Sequence, residues 1–153
     1  MQKIVPFLWF DGKAEEAMHF YVSIFPDSKV GSVNRAGPNG PVFSVSFQLA
    51  GQEFQALNGG PMYSFTPAIS LFIKCETQAE VDAFWARLTA DGGEEQPCGW
   101  VKDKFGVSWQ VIPGALGRML GDSNPARSQA VVQAMLKMRK IDIAGLQRAY
   151  DAA

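Results

Sequence analysis

Two halves of the sequence predict the same order of elements, and this repetition strongly limits the possible folds. Each half begins with an apolar strand, continues with an amphipathic helix whose apolar residues recur every three or four positions, and ends in further strands. The first half gives a strand over 4–10, a helix over 13–25, and strands over 28–36, 42–50 and 52–58. The second gives a strand over 68–75, a helix from Thr77 through Asp91, and strands over 95–102 and 107–113 around a turn at 103–106.

The two predicted helices also align with each other. Residues 16–21 match residues 80–85 at a constant offset of 64, which places Phe20-Tyr21 over Phe84-Trp85. Short amphipathic helices resemble one another through patterning alone, so the alignment is only modest support for an internal duplication.

Alternation in the strand over 42–50 predicts a sheet with two different faces. Phe43, Val45, Phe47 and Leu49 alternate with polar residues at 44, 46 and 48. Because successive side chains of a strand point to opposite faces, one face packs in a core and the other stays polar and accessible.

The residues after 114 predict two helices. The first, over 128–140, carries Val131, Val132, Met135 and Met138. Asp142 is placed to cap the second, which turns Ile143, Leu146 and Tyr150 inward.

Composition limits the class of protein. The chain has 153 residues, 47% of them apolar, which is enough for one domain with a continuous core. A formal charge of −1 provides no basic surface for nucleic acid. The apolar run at 4–10 ends at Asp11 and is too short for a signal peptide or a membrane span, so we expect a cytoplasmic protein without membrane or nucleic-acid partners.

Cys75 and Cys98 lack the spacing of a zinc motif, and His19 is the single histidine. We therefore expect two reduced thiols. His19 lies on the first helix near Glu16, in a position that we expect to face away from any site.

The hairpin at 98–111 resembles a segment of a known superfamily. Asp103, Gly106, Trp109 and Val111 match the pattern with which modules of the vicinal oxygen chelate superfamily end, whereas Lys104 and Gln110 depart from it. This superfamily comprises glyoxalases, extradiol dioxygenases and bleomycin resistance proteins. Further segments resemble its PhnB-like branch, often labelled a 3-demethylubiquinone-9 3-methyltransferase domain; they are 6–12, 56–61, 75–77, 98–100 and 138–144.

The resemblance implies an α+β fold of two βαβββ modules that form a curved mixed-sheet cup, with C-terminal helices. It covers nearly the whole chain as one domain, with module 1 at 1–60, module 2 at 66–114 and a helical tail at 115–153. It also implies a homodimer, because many relatives complete or flank their cups across a two-fold interface.

Metal-dependent members of the superfamily place one His or Glu on each of four strands facing the cup. The matching positions here are Val5 or Pro6, Gln55, Ala68 or Ser70, and Gln110. A transition metal needs three or four nitrogen or oxygen donors, and neutral amides are poor substitutes for carboxylates and imidazoles. We therefore expect neither a metal nor another cofactor.

The methyltransferase label finds little support in the residues. Binding of S-adenosylmethionine would ordinarily use a glycine-rich loop that opens a helix, followed by an acidic residue at the end of the next strand. The glycine-rich stretch 58–61 instead leaves a strand for a proline-containing linker, so we interpret it as the turn between modules.

Amides, hydroxyls and aromatic rings are the candidate ligand contacts, because small-molecule pockets are largely apolar with few polar groups. No catalytic residue can be named: Cys98 has no histidine partner, and Asp103 is expected to accept N–H bonds within its turn. The candidates for lining the cup are Trp9, Ser46, Gln55, Asn58, Ser70, Trp100, Trp109 and Gln110.

Three functions remain open at the level of sequence. The first is a metal-independent protein that binds a small molecule in the cup. The second is an enzyme, either a lyase or dioxygenase relative with unexpected metal ligands or the transferase of the family label. The third is a homodimeric interaction module whose cup is vestigial.

Overall fold

A computed structural model describes residues 2–153 and divides the chain into two compact units, up to Phe65 and from Thr66 to Ala153. Each unit contains one open four-stranded mixed sheet, which confirms the α+β fold with its C-terminal helices. The tail belongs to unit 2 rather than forming a separate body. In the part of the chain described, no helix is long and apolar enough to cross a membrane.

Unit 1 follows the predicted order, and its first strand pairs with its last. Its elements are β1 (Phe7–Phe10), α1 (Ala14–Ile24), β2 (Lys29–Arg35), β3 (Val42–Leu49) and β4 (Gln52–Asn58). The sheet order is β1-β4-β3-β2, with β1 parallel to β4 and the other pairs antiparallel. The first strand is three residues shorter than predicted.

Helix α1 packs on one face of this sheet and leaves the other face without a helix. Its apolar stripe of Ala14, Ala17, Met18 and Tyr21 is fully buried. On the sheet side, the predicted packed residues Val45, Phe47 and Leu49 of β3 are also buried. Phe43, which shares their face, is 58% exposed because it lies near the strand end.

Unit 2 repeats the plan with shorter strands. Its elements are β5 (Leu71–Cys75), α2 (Gln78–Thr89), β6 (Glu94–Glu95), β7 (Trp100–Lys102) and β8 (Ser108–Pro113). The sheet order is β5-β8-β7-β6, and β5 is parallel to β8. The strand predicted over 95–102 is interrupted by a 3-10 turn at Pro97–Gly99, where Cys98 (φ 63°) and Gly99 (φ 82°) adopt left-handed backbone conformations.

The predicted cap of α2 is present. The Thr77 hydroxyl accepts the Glu80 N–H at 3.1 Å. The Glu80 carboxylate reaches back to the N–H of Glu76 at 2.9 Å, one residue before the position expected for a capping box.

The tail contains three helices, one more than predicted. They are α3 (Gly114–Leu120), α4 (Pro125–Met135) and α5 (Ile143–Ala152). Helix α3 was missed because it is short and contains two glycines, which disfavour helices. Burial of Ala115, Leu116 and Met119 against the other tail helices compensates for this.

Backbone and amide hydrogen bonds attach the tail to the rest of unit 2. The Gln78 side chain donates to Ile141 O at 2.9 Å and accepts from Ile143 N–H at 2.8 Å. Gln78 therefore satisfies the first N–H of α5, whereas Asp142 occupies the N-cap position without the predicted capping side-chain bond. The N–H groups of Cys98 and Gly99 donate to Met138 O and Arg139 O.

Gly99 is the tightest point of this junction. A Cβ there would lie 2.8 Å from Ile112 Cδ1 and 3.0 Å from Ile141 Cγ1, and the φ of +82° disfavours any other residue. We expect Gly99→Ala to lower the free energy of unfolding by about 2–4 kcal/mol through overpacking and backbone strain. Urea denaturation measures the change.

Gly117→Ala is the matched control, since a Cβ in α3 at this position meets nothing within 4 Å. It should leave stability unchanged or raise it slightly. Equal destabilisation by the two substitutions would contradict the proposed packing at Gly99.

Candidate functional site

The helix-free face of unit 1 brings three predicted site residues together. Cross-strand register places Phe7 of β1, Gln55 of β4 and Ser46 of β3 in one row. Trp9 and Leu57 occupy the next row of the same face. The structure therefore resolves the side on which Trp9 lies, which short-strand patterning could not determine.

A groove with a volume of about 240 Å³ lies on this face. Ser46 and Gln55 line it, together with the charged side chains of Lys29 and Glu53. Gln48 lies between the two charges in the strand pairing. The alternation of β3 indicated Gln48, but the positions of Lys29 and Glu53 depend on strand register, which sequence alone did not provide.

Ser46 is engaged by its own sheet. Its hydroxyl accepts the Ser32 N–H at 2.9 Å and lies 2.8 Å from the Ser32 hydroxyl. The register of β2 shifts between Val30 and Val33, so these bonds stabilise a bulge at the edge of the sheet. Gly31 is required there because a Cβ would lie 2.5 Å from Ser46 Oγ.

The turn after β4 holds the Trp9 indole in place. Trp9 Nε1 donates to Gly60 O at 2.9 Å, and Tyr63 meets the ring edge-on at a centroid distance of 4.9 Å. A Cβ on Gly59 would lie 2.3 Å from the indole, so only glycine permits this approach. The glycines at 59 and 60 therefore position an aromatic side chain.

In unit 2, the sheet face opposite α2 has a similar arrangement, and the tail cluster packs against Ile112 at one end of this face. Phe72 of β5, Gln110 of β8 and Trp100 of β7 form one row. Phe72 is 53% exposed, and Trp100 is half-buried. Gln110 Nε2 donates to the Ser70 hydroxyl at 2.9 Å, which orients the amide.

The same pair of residue types occurs at equivalent positions in the two sheets. Phe7 is paired with Gln55 across the parallel β1–β4 ladder, and Phe72 is paired with Gln110 across the parallel β5–β8 ladder. In each unit, the sheet face opposite α1 or α2 thus presents a neutral amide beside an exposed aromatic ring. The sequence could not pair either phenylalanine with its amide, because the strand partners were unknown.

The structure places Asn58 and Trp109 on the opposite, helix-bearing faces. Asn58 Oδ1 accepts the Ala14 N–H at the start of α1 at 2.9 Å, and its Nδ2 donates to Val42 O at 3.1 Å. Both ends of the amide therefore hold unit 1 together. Asn58 and Trp109 do not share a face with Gln55 and Gln110, because successive side chains of a strand point to opposite faces.

Trp109 completes a buried network around Asp103. Its Nε1 donates to Asp103 Oδ2 at 2.8 Å. Asp103 Oδ1 accepts the N–H groups of Phe105 and Val107, as expected for a turn aspartate. With Asp103 2% and Trp109 3% exposed, this part of the hairpin is scaffold.

The donor set on these faces does not suit a transition metal. The amides Gln55 and Gln110 are flanked by Phe7 and Phe72 where a metal site would need further nitrogen or oxygen ligands. Glu53 is a carboxylate in the groove, but residues 2–153 contain no group of three or more His, Cys, Asp or Glu side chains that could hold a metal.

Cys75 offers no activated nucleophile. Both cysteines are free, Cys75 being buried and Cys98 half-buried. Burial raises the pKa of the Cys75 thiol to about 11, and the Glu80 carboxylate contributes to the rise. Cys75 is therefore a protonated, unreactive thiol at neutral pH.

Comparison with known proteins identifies the class. The family model described as 3-demethylubiquinone-9 3-methyltransferase matches residues 2–112. The PhnB protein of Bacillus cereus is 40% identical, with a TM-score of 0.68 over 73% of this chain and 99% of that chain. A comparison with curated proteins found no significant match.

Two more distant structures share the fold. Protein PA1353 of Pseudomonas aeruginosa is 20% identical, with a TM-score of 0.62 over 74% of this chain and 98% of that chain. The fosfomycin resistance protein FosX of Listeria monocytogenes, solved with Mn(II) and sulfate, is 16% identical, with a TM-score of 0.53 over 71% of this chain and 89% of that chain.

The chain shares its fold with all three of these structures. It belongs to the PhnB-like family described as 3-demethylubiquinone-9 3-methyltransferase. The family match ends at residue 112, so it does not include the tail helices, where the sequence had suggested further resemblance at 138–144.

The two bonds of Asn58 predict a role in stability. We expect Asn58→Ala to lower the free energy of unfolding by about 1–3 kcal/mol, because it leaves Ala14 N–H and Val42 O without their partner. Asn58→Asp keeps an acceptor for Ala14 and should fall between alanine and the native residue. Urea denaturation measures all three proteins.

Asn34→Ala is the control, since Asn34 makes one exposed hydrogen bond to Ser44 in the same unit. It should change stability by less than about 0.5 kcal/mol. A fully stable Asn58→Ala protein that lost ligand affinity would restore Asn58 as a ligand contact.

Proposed function

We propose that this protein binds an uncharged small molecule, without a metal, on the sheet faces opposite α1 and α2, within the cytoplasm. The observation that carries the proposal is the repeated pair of an amide and an exposed phenylalanine, Phe7 with Gln55 and Phe72 with Gln110. A primary amide both donates and accepts hydrogen bonds, whereas an aromatic ring contacts flat apolar surface.

The neighbouring groups narrow the ligand class. In unit 2, the Ser70 hydroxyl accepts a hydrogen bond from the Gln110 amide and thereby fixes the orientation of the other polar atoms of that amide. In unit 1, Gln55 is exposed in the groove, and Trp9 is fixed nearby by Gly60 and Tyr63. These features favour a planar ligand that carries a carbonyl or similar acceptor, with apolar rings or chains beside it.

Replacement of either amide tests the proposal. The protein is purified without added ligand, and native mass spectrometry identifies any bound molecule, whose affinity is then measured by calorimetry. We expect Gln55→Ala and Gln110→Ala each to raise Kd by about five- to tenfold, the equivalent of one net hydrogen bond of about 1 kcal/mol. Elemental analysis of the same sample should find no stoichiometric metal.

Gln133→Ala is the matched control, because Gln133 is an exposed amide on α4, outside both sheets. It should bind with native affinity. Stoichiometric zinc, iron, manganese or nickel, or native affinity in both sheet variants, would contradict the proposal.

Methyl transfer is the second candidate, and the description of the matching family is what favours it. The glycine-rich turn supports it poorly, because its glycines pack against Trp9 instead of opening a helix. Calorimetric titration with S-adenosylmethionine decides between the candidates. Micromolar binding would favour the transferase, and no heat of binding would favour the first proposal.

Association of two copies is a separate proposal that rests on exposed apolar side chains. Ile4, Met62 and Ile69 are 88%, 73% and 72% exposed in the single chain. Burial of these side chains against a second copy would be favourable. Light scattering at micromolar concentration should give twice the chain mass of 16.7 kDa, and a monomer mass would contradict both the dimer and the interaction module.

A further inference from the structure

Two Asn-Gly dipeptides occur in the chain, and the structure holds them in opposite environments. Asn39-Gly40 lies in the loop between β2 and β3, whereas Asn58-Gly59 lies at the end of β4. Such a dipeptide is chemically labile because glycine has no side chain to shield its main-chain nitrogen from the asparagine side chain.

The loop leaves Asn39 free to rearrange. Asn39 is exposed, and its side chain makes no hydrogen bond within residues 2–153. The Gly40 N–H contacts Gly37 O at 3.2 Å, at the long end of the range for such bonds. An exposed turn with few bonds opens at little cost in free energy.

Sterics explain why a glycine must follow Asn39. A Cβ on Gly40 would lie 1.7 Å from Ala36 O, so the turn excludes every other residue. The turn places no comparable demand on the side chain at 39. The loop backbone therefore requires glycine at position 40, and this glycine makes the preceding asparagine labile.

The second dipeptide is locked by three hydrogen bonds. Asn58 uses both ends of its amide, on Ala14 N–H and Val42 O. The Gly59 N–H donates to Phe10 O at 2.9 Å. The Asn58 side-chain carbon cannot reach the Gly59 nitrogen unless these bonds break.

We propose that Asn39 is a site of spontaneous deamidation and that the fold protects Asn58 from the same reaction. The Gly40 nitrogen attacks Asn39 Cγ; the new N–Cγ bond forms, the Cγ–Nδ2 bond breaks, and ammonia leaves with the proton lost by Gly40. Water then opens the cyclic imide at either carbonyl and gives aspartate or isoaspartate. Each event makes the formal net charge of −1 one unit more negative.

Peptide mapping after ageing tests the proposal. The native full-length protein is incubated in mildly acidic and mildly alkaline buffers, then digested with trypsin. Both asparagines fall in one tryptic peptide, residues 36–74, and further cleavage after Glu53 places them in separate peptides, so each gain of mass is assigned to one site. A gain of one mass unit should accumulate at Asn39, faster in alkali because the attacking nitrogen must lose its proton.

In native protein, the rate at Asn39 should exceed that at Asn58 by more than about tenfold, because modification of Asn58 requires local unfolding. The same incubation in urea should modify both sites at similar rates. Asn39→Gln should remove the native mass gain, since the longer side chain closes a ring far more slowly. Equal rates in the native state, or no native change at Asn39 while the urea sample reacts, would overturn the proposal.

Discussion

Parallel pairing of the first and last strands in each unit is the constraint on which the rest of the structure depends. The β1–β4 and β5–β8 ladders fix which side chains share a face. A shift of one residue in either ladder would move every side chain of that strand to the other face. Gln55 and Gln110 are accessible only because Ala56 and Val111, their neighbours along the chain, point into the helix-covered cores.

The two units support this pairing by different means. In unit 1, Asn58 joins the end of β4 to the start of α1 and to β3, and this amide adds to the packing of the apolar stripe of α1 on the sheet. In unit 2, the tail contributes to the core, because Ile112 of β8 packs against the tail cluster that contains Ile141. The family match ends where the tail begins, so this chain adds a packed helical layer to unit 2 beyond the matched region.

The sequence was sufficient for features that depend on local pattern. The β3 alternation, the Thr77 cap and the turn role of Asp103 all appear in the structure, because each depends on residues within a few positions. Features that depend on residues far apart in the chain could not be predicted from the sequence. The pairing of Phe7 with Gln55 and of Phe72 with Gln110 depends on register, and α3 forms despite its glycines because other tail helices bury it.

The hairpin at 98–111 shows how one motif can carry both scaffold and site. Asp103 and Trp109 bond to each other in the core, and Gly106 takes a left-handed conformation (φ 92°) that closes the turn. These positions determine whether the hairpin folds. Gln110 points the other way, and its amide donates to the peripheral Ser70 rather than to a buried group, so the fold places a weaker demand on it. A change from carboxylate to amide at 110 can therefore alter the chemistry of the face while the β7–β8 hairpin stays intact.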